Sequence, residues 1–261
     1  MIDVIVTGAA GRMGREVVKA VTAAEGMRVC AAVDPVTPPA SVEDGAGGTI
    51  FTTPDLASAL TGDSLRVLVD FTVPAAVERT VEQALAAGVH CVVGTTGVSP
   101  ERWEAIAEAA PGAPCLFVAP NFAIGAVLMM RFAATAARYM PHVEIIELHH
   151  DRKLDAPSGT AMRTASLIAE ARGAAPTAPG RETEIADGAR GALVDGVTIH
   201  SVRLPGLVAH QEVLFGDVGQ TLALRHDSID RTSFMPGVVL AVREIPARSG
   251  LVIGLEELMD L

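Results

Sequence analysis

Between residues 2 and 119 the chain alternates short β-branched runs with alanine-rich stretches of helical character. That alternation restricts the fold more than any single motif. Strands are expected at 2–7, 27–34, 65–71, 89–94 and 113–119, and helices at 12–24, 54–60, 74–87 and 100–110. Strands separated by helices imply a parallel sheet covered on both faces. Residues 35–48, rich in Pro, Gly and Ala, read as a loop. The pattern changes after residue 122: a helix at 123–139 leads into a strand at 143–148, a loop with two histidines and a helix at 159–172. A Gly/Pro/Ala-rich stretch, 173–196, reads as a long ordered or partly mobile loop, followed by β-like runs at 197–204, 212–215 and 220–226 that suggest a meander. A helix at 229–243, broken near Pro236, leads to a short tail at 250–258. The expected class is α/β, with a doubly wound parallel sheet in one domain (1–122 plus 232–261) and an α+β second domain (123–231).

Composition removes several classes of function. The 261 residues, 49% hydrophobic and 20% charged, suit a soluble globular chain with one large core or two modest ones. A net charge of −11 and an aromatic content of 3% argue against a nucleic-acid surface, which needs clustered cations or stacking platforms. An anionic small substrate stays possible, because a few converging cations can set a local field. No apolar run approaches the roughly 18 residues of a membrane span. The start, MIDVIVTGAAG, reads as a first strand and not as a signal peptide. Cys30, Cys91 and Cys115 lie in apolar, strand-like runs without metal-ligand spacing, so buried thiols in a reducing cytoplasm are expected, and no metal.

The turn after the first strand reads GAAGRMG: Gly8, Ala9, Ala10, Gly11, Arg12, Met13, Gly14. Its glycines recur at every third residue. Gly8 allows a tight exit from the strand, Gly11 lets the backbone approach a pyrophosphate, and Gly14 lets helix and strand pack closely. The helix N-terminus adds amides and the positive end of its dipole. Asp34 ends the second strand 20 residues after Gly14, where a carboxylate can accept from ribose hydroxyls. Together these point to a dinucleotide. Gly94, Thr95 and Thr96 follow another strand, as do Ala119, Pro120, Asn121 and Phe122, and both loops offer amides and small polar groups toward a nicotinamide ribose.

In ELHHDRKLDAPSGTA (147–161), His149, His150 and Lys153 precede Ser158, Gly159 and Thr160 at the start of a helix. Ser158 suits the cap, leaving the Gly159 and Thr160 amides to point outward. Two imidazoles, an ammonium and helix-terminal amides suit a small dianion that must also be protonated. A hydride source in the first domain would make the whole a reductase.

GAAGRMG, DFTVPAA, VVGTTG, APNFAIG, ELHHDRKLDAPSGTA and HDSIDRTSF resemble, in order and spacing, the 4-hydroxy-tetrahydrodipicolinate reductases of bacterial lysine and diaminopimelate biosynthesis. The resemblance spans essentially the whole chain. It implies a cytoplasmic homotetramer with an N-terminal Rossmann-type domain and an α+β substrate and oligomerisation domain. It further implies His149 as acid/base, Lys153 as proton donor, and His150, Lys153, Gly159, Thr160 and, more weakly, Arg231 as holders of a dicarboxylate substrate. NADH and NADPH are the implied cofactors, at residues 8–13, 34, 94–96 and 119–122. Some members carry arginine after the acidic ribose residue, which favours NADPH. Here Pro35 follows Asp34, and Arg12 is the nearby cation, so NADH is expected to serve at least as well. On the residues alone two other readings stay open: another two-domain NAD(P)-dependent dehydrogenase, or a non-catalytic NAD(H)-sensing protein.

Overall fold

The computed structural model describes residues 1–35, 40–62, 64–110, 114–176 and 183–259. In chain order it runs β1 (Ile2–Thr7), α1 (Arg12–Ala23), β2 (Met27–Val33), β3 (Ser41–Glu43), β4 (Thr49–Phe51), α2 (Leu56–Ala59), β5 (Arg66–Asp70) and α3 (Pro74–Ala86). There follow β6 (His90–Val93), α4 (Pro100–Glu108), β7 (Leu116–Val118), α5 (Ile124–Ala137), β8 (His142–His149) and α6 (Gly159–Arg172). The chain continues with β9 (Ala192–Val194), β10 (Val197–Arg203), β11 (Ala209–Asp217), β12 (Gln220–Ser228), α7 (Met235–Glu244) and β13 (Leu251–Ile253). Two compact units result: Met1–Ile124 with Arg231–Leu261, and Gly125–Asp230.

The first unit holds a six-stranded sheet in the order β13-β7-β6-β5-β1-β2, with every pair parallel. The order reverses between β1 and β5, the point where open α/β sheets bind ligands beyond the carboxyl ends of their strands. Val4, Ile5 and Val6 are completely buried, as a strand covered on both faces requires. One face packs Ile5 and Leu68 against Val77, Val81 and Leu85 of α3 and Trp103 and Ile106 of α4. Each such aliphatic side chain stabilises the fold by about 1.5–3 kcal/mol. Ser99 caps α4 by accepting from the Arg102 amide, and Pro100 opens that helix without wasting a donor.

The second unit holds a mixed sheet in the order β12-β11-β8-β10-β9. Its core sets Ile145, Val197, Ile199, Val213 and Phe215 of the sheet against Met129, Ala133, Ala161, Ala165 and Ile168 of α5 and α6.

Several expectations need correction. The 35–48 stretch is not all loop, because β3 pairs antiparallel with β4 and Val42 is fully buried. Val36 to Pro39, the remainder of the expected ribose-proximal loop, lie outside the described residues. Asp44 closes that hairpin by accepting from the Ala46 and Gly48 amides at 2.8 Å each. β9 lies within the expected 173–196 loop, and β13, expected as tail, is a sixth strand of the first sheet. Three residues are too few to show an alternation. The later strands are not a simple meander: β10 runs parallel to β8, with α6 in the crossover, while β11 is antiparallel to it. Pro236 does not break a helix. It sits in the first turn of α7, after a separate 3-10 turn at Arg231–Phe234. Cys30 is exposed, unlike Cys91 and Cys115. It is the residue skipped where the β1–β2 register slips between Val29 and Ala31, so it lacks a partner on the edge strand.

Candidate active site

Beyond the carboxyl ends of β1, β5 and β6 the first unit is shaped by close backbone approach. Gly8 and Ala9 donate to the Val33 carbonyl at 3.0 and 3.3 Å, tying the glycine turn to the end of β2. Gly14 is buried, and a Cβ there would lie 2.1 Å from the Gly8 carbonyl oxygen, so no side chain fits between helix and turn. Gly11 caps α1 without a side-chain hydrogen bond, so no cap side chain competes with an anion for the first-turn amides. Asp34 is buried and one carboxylate oxygen accepts from the Ala10 amide at 3.0 Å, which draws the carboxylate against the turn. Arg12 is exposed and Met13 half-buried at the start of α1. These are the residues and spaces a dinucleotide would need.

Gly94 donates to the Asp70 carbonyl at 2.9 Å, and a Cβ on it would strike the Phe71 ring at 2.1 Å. The Thr95 hydroxyl is turned inward, donating to Asp70 Oδ1 at 2.6 Å, whereas Thr96 is exposed. Asp70, which opens DFTVPAA but was given no role from the sequence, is fully buried and also accepts from the Thr7 and Thr72 hydroxyls at 2.7 and 2.9 Å. It therefore joins three strand ends. Ala119 donates to the Val93 carbonyl, Asn121 Oδ1 accepts from the Ala123 amide, and Pro120 is exposed. The Phe122 ring is buried against Phe71 and Phe117, with ring centres 5.6 and 5.9 Å away.

In the second unit one loop, from the end of β8 to the start of α6, carries His149, His150, Lys153, Gly159 and Thr160. His149 Nδ1 lies 2.5 Å from Glu147 Oε2. Glu147 is completely buried and is held by a two-pronged contact from Arg203, 2.7 Å to each oxygen, and by the Ser158 amide at 3.1 Å. Burial alone would push the Glu147 carboxyl up, but hydrogen bonds from Arg203, Ser201 and His149 hold it below the ordinary glutamate range. Burial draws the His149 imidazole below the ordinary histidine range, and the nearby charges of Lys153 and Arg203 add to this against the upward pull of Glu147. With Nδ1 engaged, Nε2 is the atom left for proton exchange.

Lys153 Nζ donates to both Asp155 oxygens at 2.8 and 2.9 Å. His150 Nδ1 is buried with no hydrogen-bond partner among the described residues. Ser158 caps α6 by accepting from the Ala161 amide at 3.2 Å, and Gly159 faces open space. Arg231, in contrast, opens the 3-10 turn of the first unit and is exposed. Glu147 and Arg203 were missed by the sequence reading. The available signal was Glu147 itself, a charge in a strand position flanked by Ile145 and His149 on the same face.

Residues 2–122 match the family described as "Dihydrodipicolinate reductase, N-terminus", and residues 125–259 match its C-terminus counterpart. The 4-hydroxy-tetrahydrodipicolinate reductase of Mycolicibacterium vanbaalenii is 53% identical over 259 residues, covering 98% of each chain. That of Halalkalibacterium halodurans is 51% identical over 267 residues, covering 100% of both. A solved structure of dipicolinate-bound dihydrodipicolinate reductase from Paenisporosarcina sp. TG-14 is 44% identical, with a TM-score of 0.86 over 99% of this chain and 100% of the other.

Proposed function

The chain belongs to the dihydrodipicolinate reductase (4-hydroxy-tetrahydrodipicolinate reductase) family over nearly its whole length, and from that premise we propose how its own residues carry the reaction. The enzyme is an NAD(P)H-dependent oxidoreductase of lysine and diaminopimelate biosynthesis. It reduces 4-hydroxy-tetrahydrodipicolinate, by way of dihydrodipicolinate, to tetrahydrodipicolinate.

Loss of water leaves a ring dicarboxylate with a conjugated C=C–C=N system. A nicotinamide held beside Gly94 to Thr96 and Ala119 to Phe122 would supply the hydride for that system. As electron density moves toward the ring nitrogen, His149 Nε2 and Lys153 Nζ deliver the proton, a step typically worth about 10²–10⁴-fold. His150, Lys153 and the amides of Gly159 and Thr160 hold the two carboxylates, with Arg231 a weaker contributor. Lys153 is already paired with Asp155, which is largely exposed. Such a pair contributes only about 0–1 kcal/mol, so an arriving dianion can take the ammonium at little cost.

In the first unit the turn at residues 8–13 would hold the pyrophosphate and Asp34 the adenosine ribose, while Gly94 to Thr96 and Ala119 to Phe122 would line the nicotinamide end. The first unit then binds the dinucleotide, and the second binds substrate and assembles a homotetramer in the cytoplasm. Leu193 and Leu204, exposed at 76% and 53% on or beside the second sheet, support an assembly surface there. None of the described helices is long and apolar enough to cross a membrane.

The observation that carries this reading is the convergence of His149, His150, Lys153 and the α6 N-terminus in one loop. NADH oxidation, followed by absorbance on addition of the aldol-synthase product that feeds the pathway, tests it. Pyridine-2,6-dicarboxylate should compete with substrate, and the monocarboxylate should bind at least about tenfold more weakly, since a cation and amides are left unpaired. Equal affinity for the two would refute the two-carboxylate cradle. Light scattering of the purified chain tests the tetramer.

A further inference from the structure

Glu147 and Arg203 have no part in the steps above, yet both oxygens of the buried Glu147 carboxylate beside His149 are matched, while Arg203 Nε has no partner among the described residues. A buried carboxylate persists only when its oxygens are matched. Here two guanidinium donors, the Ser158 amide and the His149 ring nitrogen match them. Holding β8 to β10 does not require this, since the backbone register already pairs Glu144 with Thr198 through to His149 with Arg203. What the carboxylate adds is a fixed acceptor for one nitrogen of one imidazole. Arg203 reaches further. Its Nη2 also donates to the Asp155 carbonyl at 2.7 Å, so the same guanidinium anchors the loop that carries Lys153. The other charged groups beside the ring are Lys153 and its partner Asp155, while β11 places uncharged Ala209 opposite His149.

We propose that Glu147 and Arg203 are positioning residues for the reduction: Arg203 holds the Glu147 carboxylate, the carboxylate accepts a hydrogen bond from His149 Nδ1–H, and the ring is fixed with Nε2 as the nitrogen that exchanges protons. The proposal rests on His149 being the proton donor, as argued above. Removing the carboxylate should leave the ring in place but mixed in tautomer and orientation, which costs turnover more than substrate binding.

The test uses the full-length enzyme with NADH. Glu147→Gln should lower kcat by about 10–100-fold, the range seen when the partner behind a metal-binding imidazole is lost, with KM changed less than about threefold. Nitrogen NMR of the labelled His149 ring should show Nδ1–H in the native enzyme and a mixture in the variant. In a His149→Gln background the same Glu147→Gln change should cost less than about threefold, because Glu147 acts through His149. If Glu147→Gln fails to fold because Arg203 is left unpaired, Glu147→Gln with Arg203→Met removes both charges together and should show the same loss of kcat and the same tautomer mixture. An unchanged tautomer, or an equal cost with and without His149, overturns the proposal. A normal kcat in His149→Gln alone would overturn the acid assignment instead, and the NMR readout would still decide whether Glu147 orients the ring.

Discussion

In the proposed reaction the end of β1 would offer a ligand its backbone, and the end of β8 its side chains. The glycine turn works by leaving out side-chain atoms. Gly14 has no room for a Cβ and Gly11 brings no capping group. The histidine loop works by keeping charged atoms in place through a buried ion pair behind them. A backbone site can be damaged by a single added carbon. A side-chain site is damaged by a change in charge or proton position with hardly any change in volume.

The largest expected effect follows directly. Gly14→Ala places a methyl group 2.1 Å from a carbonyl oxygen and should weaken NADH binding by roughly 10³-fold, about 4 kcal/mol, read by fluorescence titration. Gly159→Ala, where nothing lies within 4 Å, should leave NADH binding unchanged and disturb substrate KM only modestly. Similar responses at the two glycines would erase the contrast drawn here.

Next in size are changes at the loop. His149→Gln should lower kcat by about 10²-fold or more with little change in KM, and Lys153→Ala should damage both, since in the proposed reaction it both binds and donates. Circular dichroism and cofactor binding must stay normal. If both variants then keep near-native kcat/KM, the loop is structural.

A smaller effect concerns pH. His149 is held below the ordinary histidine range in the free protein, and in the proposed reaction the protonated ring is the donor, so kcat/KM should fall as pH rises through that lowered value. A bound dianion favours imidazolium, so the corresponding fall in kcat should lie at higher pH. Coincident limbs would mean that substrate charge does not reach His149.

The smallest effect is cofactor choice. Asp34 should disfavour a ribose 2′-phosphate, with Arg12 offsetting part of the repulsion, so NADH should match or modestly exceed NADPH in kcat/KM. A preference for NADPH beyond roughly tenfold, about 1.4 kcal/mol, would remove Asp34 as the selecting residue.

How much of this could be read from the sequence depended on the distance over which each feature acts. The alternating strands and helices of the first unit were legible because Gly and Pro punctuate them, and even the three-residue β7 sits within a longer apolar run at 113–119. β3, β4, β9 and β13 have three residues each and leave no periodic trace. The parallel pairing of β8 with β10 was illegible for another reason: it depends on a crossover, whereas nearby strands in sequence suggest hairpins. In the loop, His149, His150, Lys153 and Ser158 fall within ten residues and announce themselves together. Arg203 lies 56 residues from Glu147 and reads as an ordinary strand-end cation until the fold places it. Asp70 was hidden in the same way, since its threonine partners come from β1 and from the loops after β5 and β6.

Gly94 has a consequence for the order in which substitutions can accumulate. Its backbone needs no special conformation, and the nearest atoms a Cβ would meet all belong to the Phe71 ring. A change at Gly94 alone is therefore blocked, while the same change after Phe71 has become smaller is relieved of its closest clash. Phe71 is itself braced by Phe122, so shrinking it first would loosen an aromatic contact. Variation at residues 71 and 94 should therefore be inherited as a pair, and libraries that vary Gly94 one substitution at a time will miss every viable alternative that needs a smaller partner.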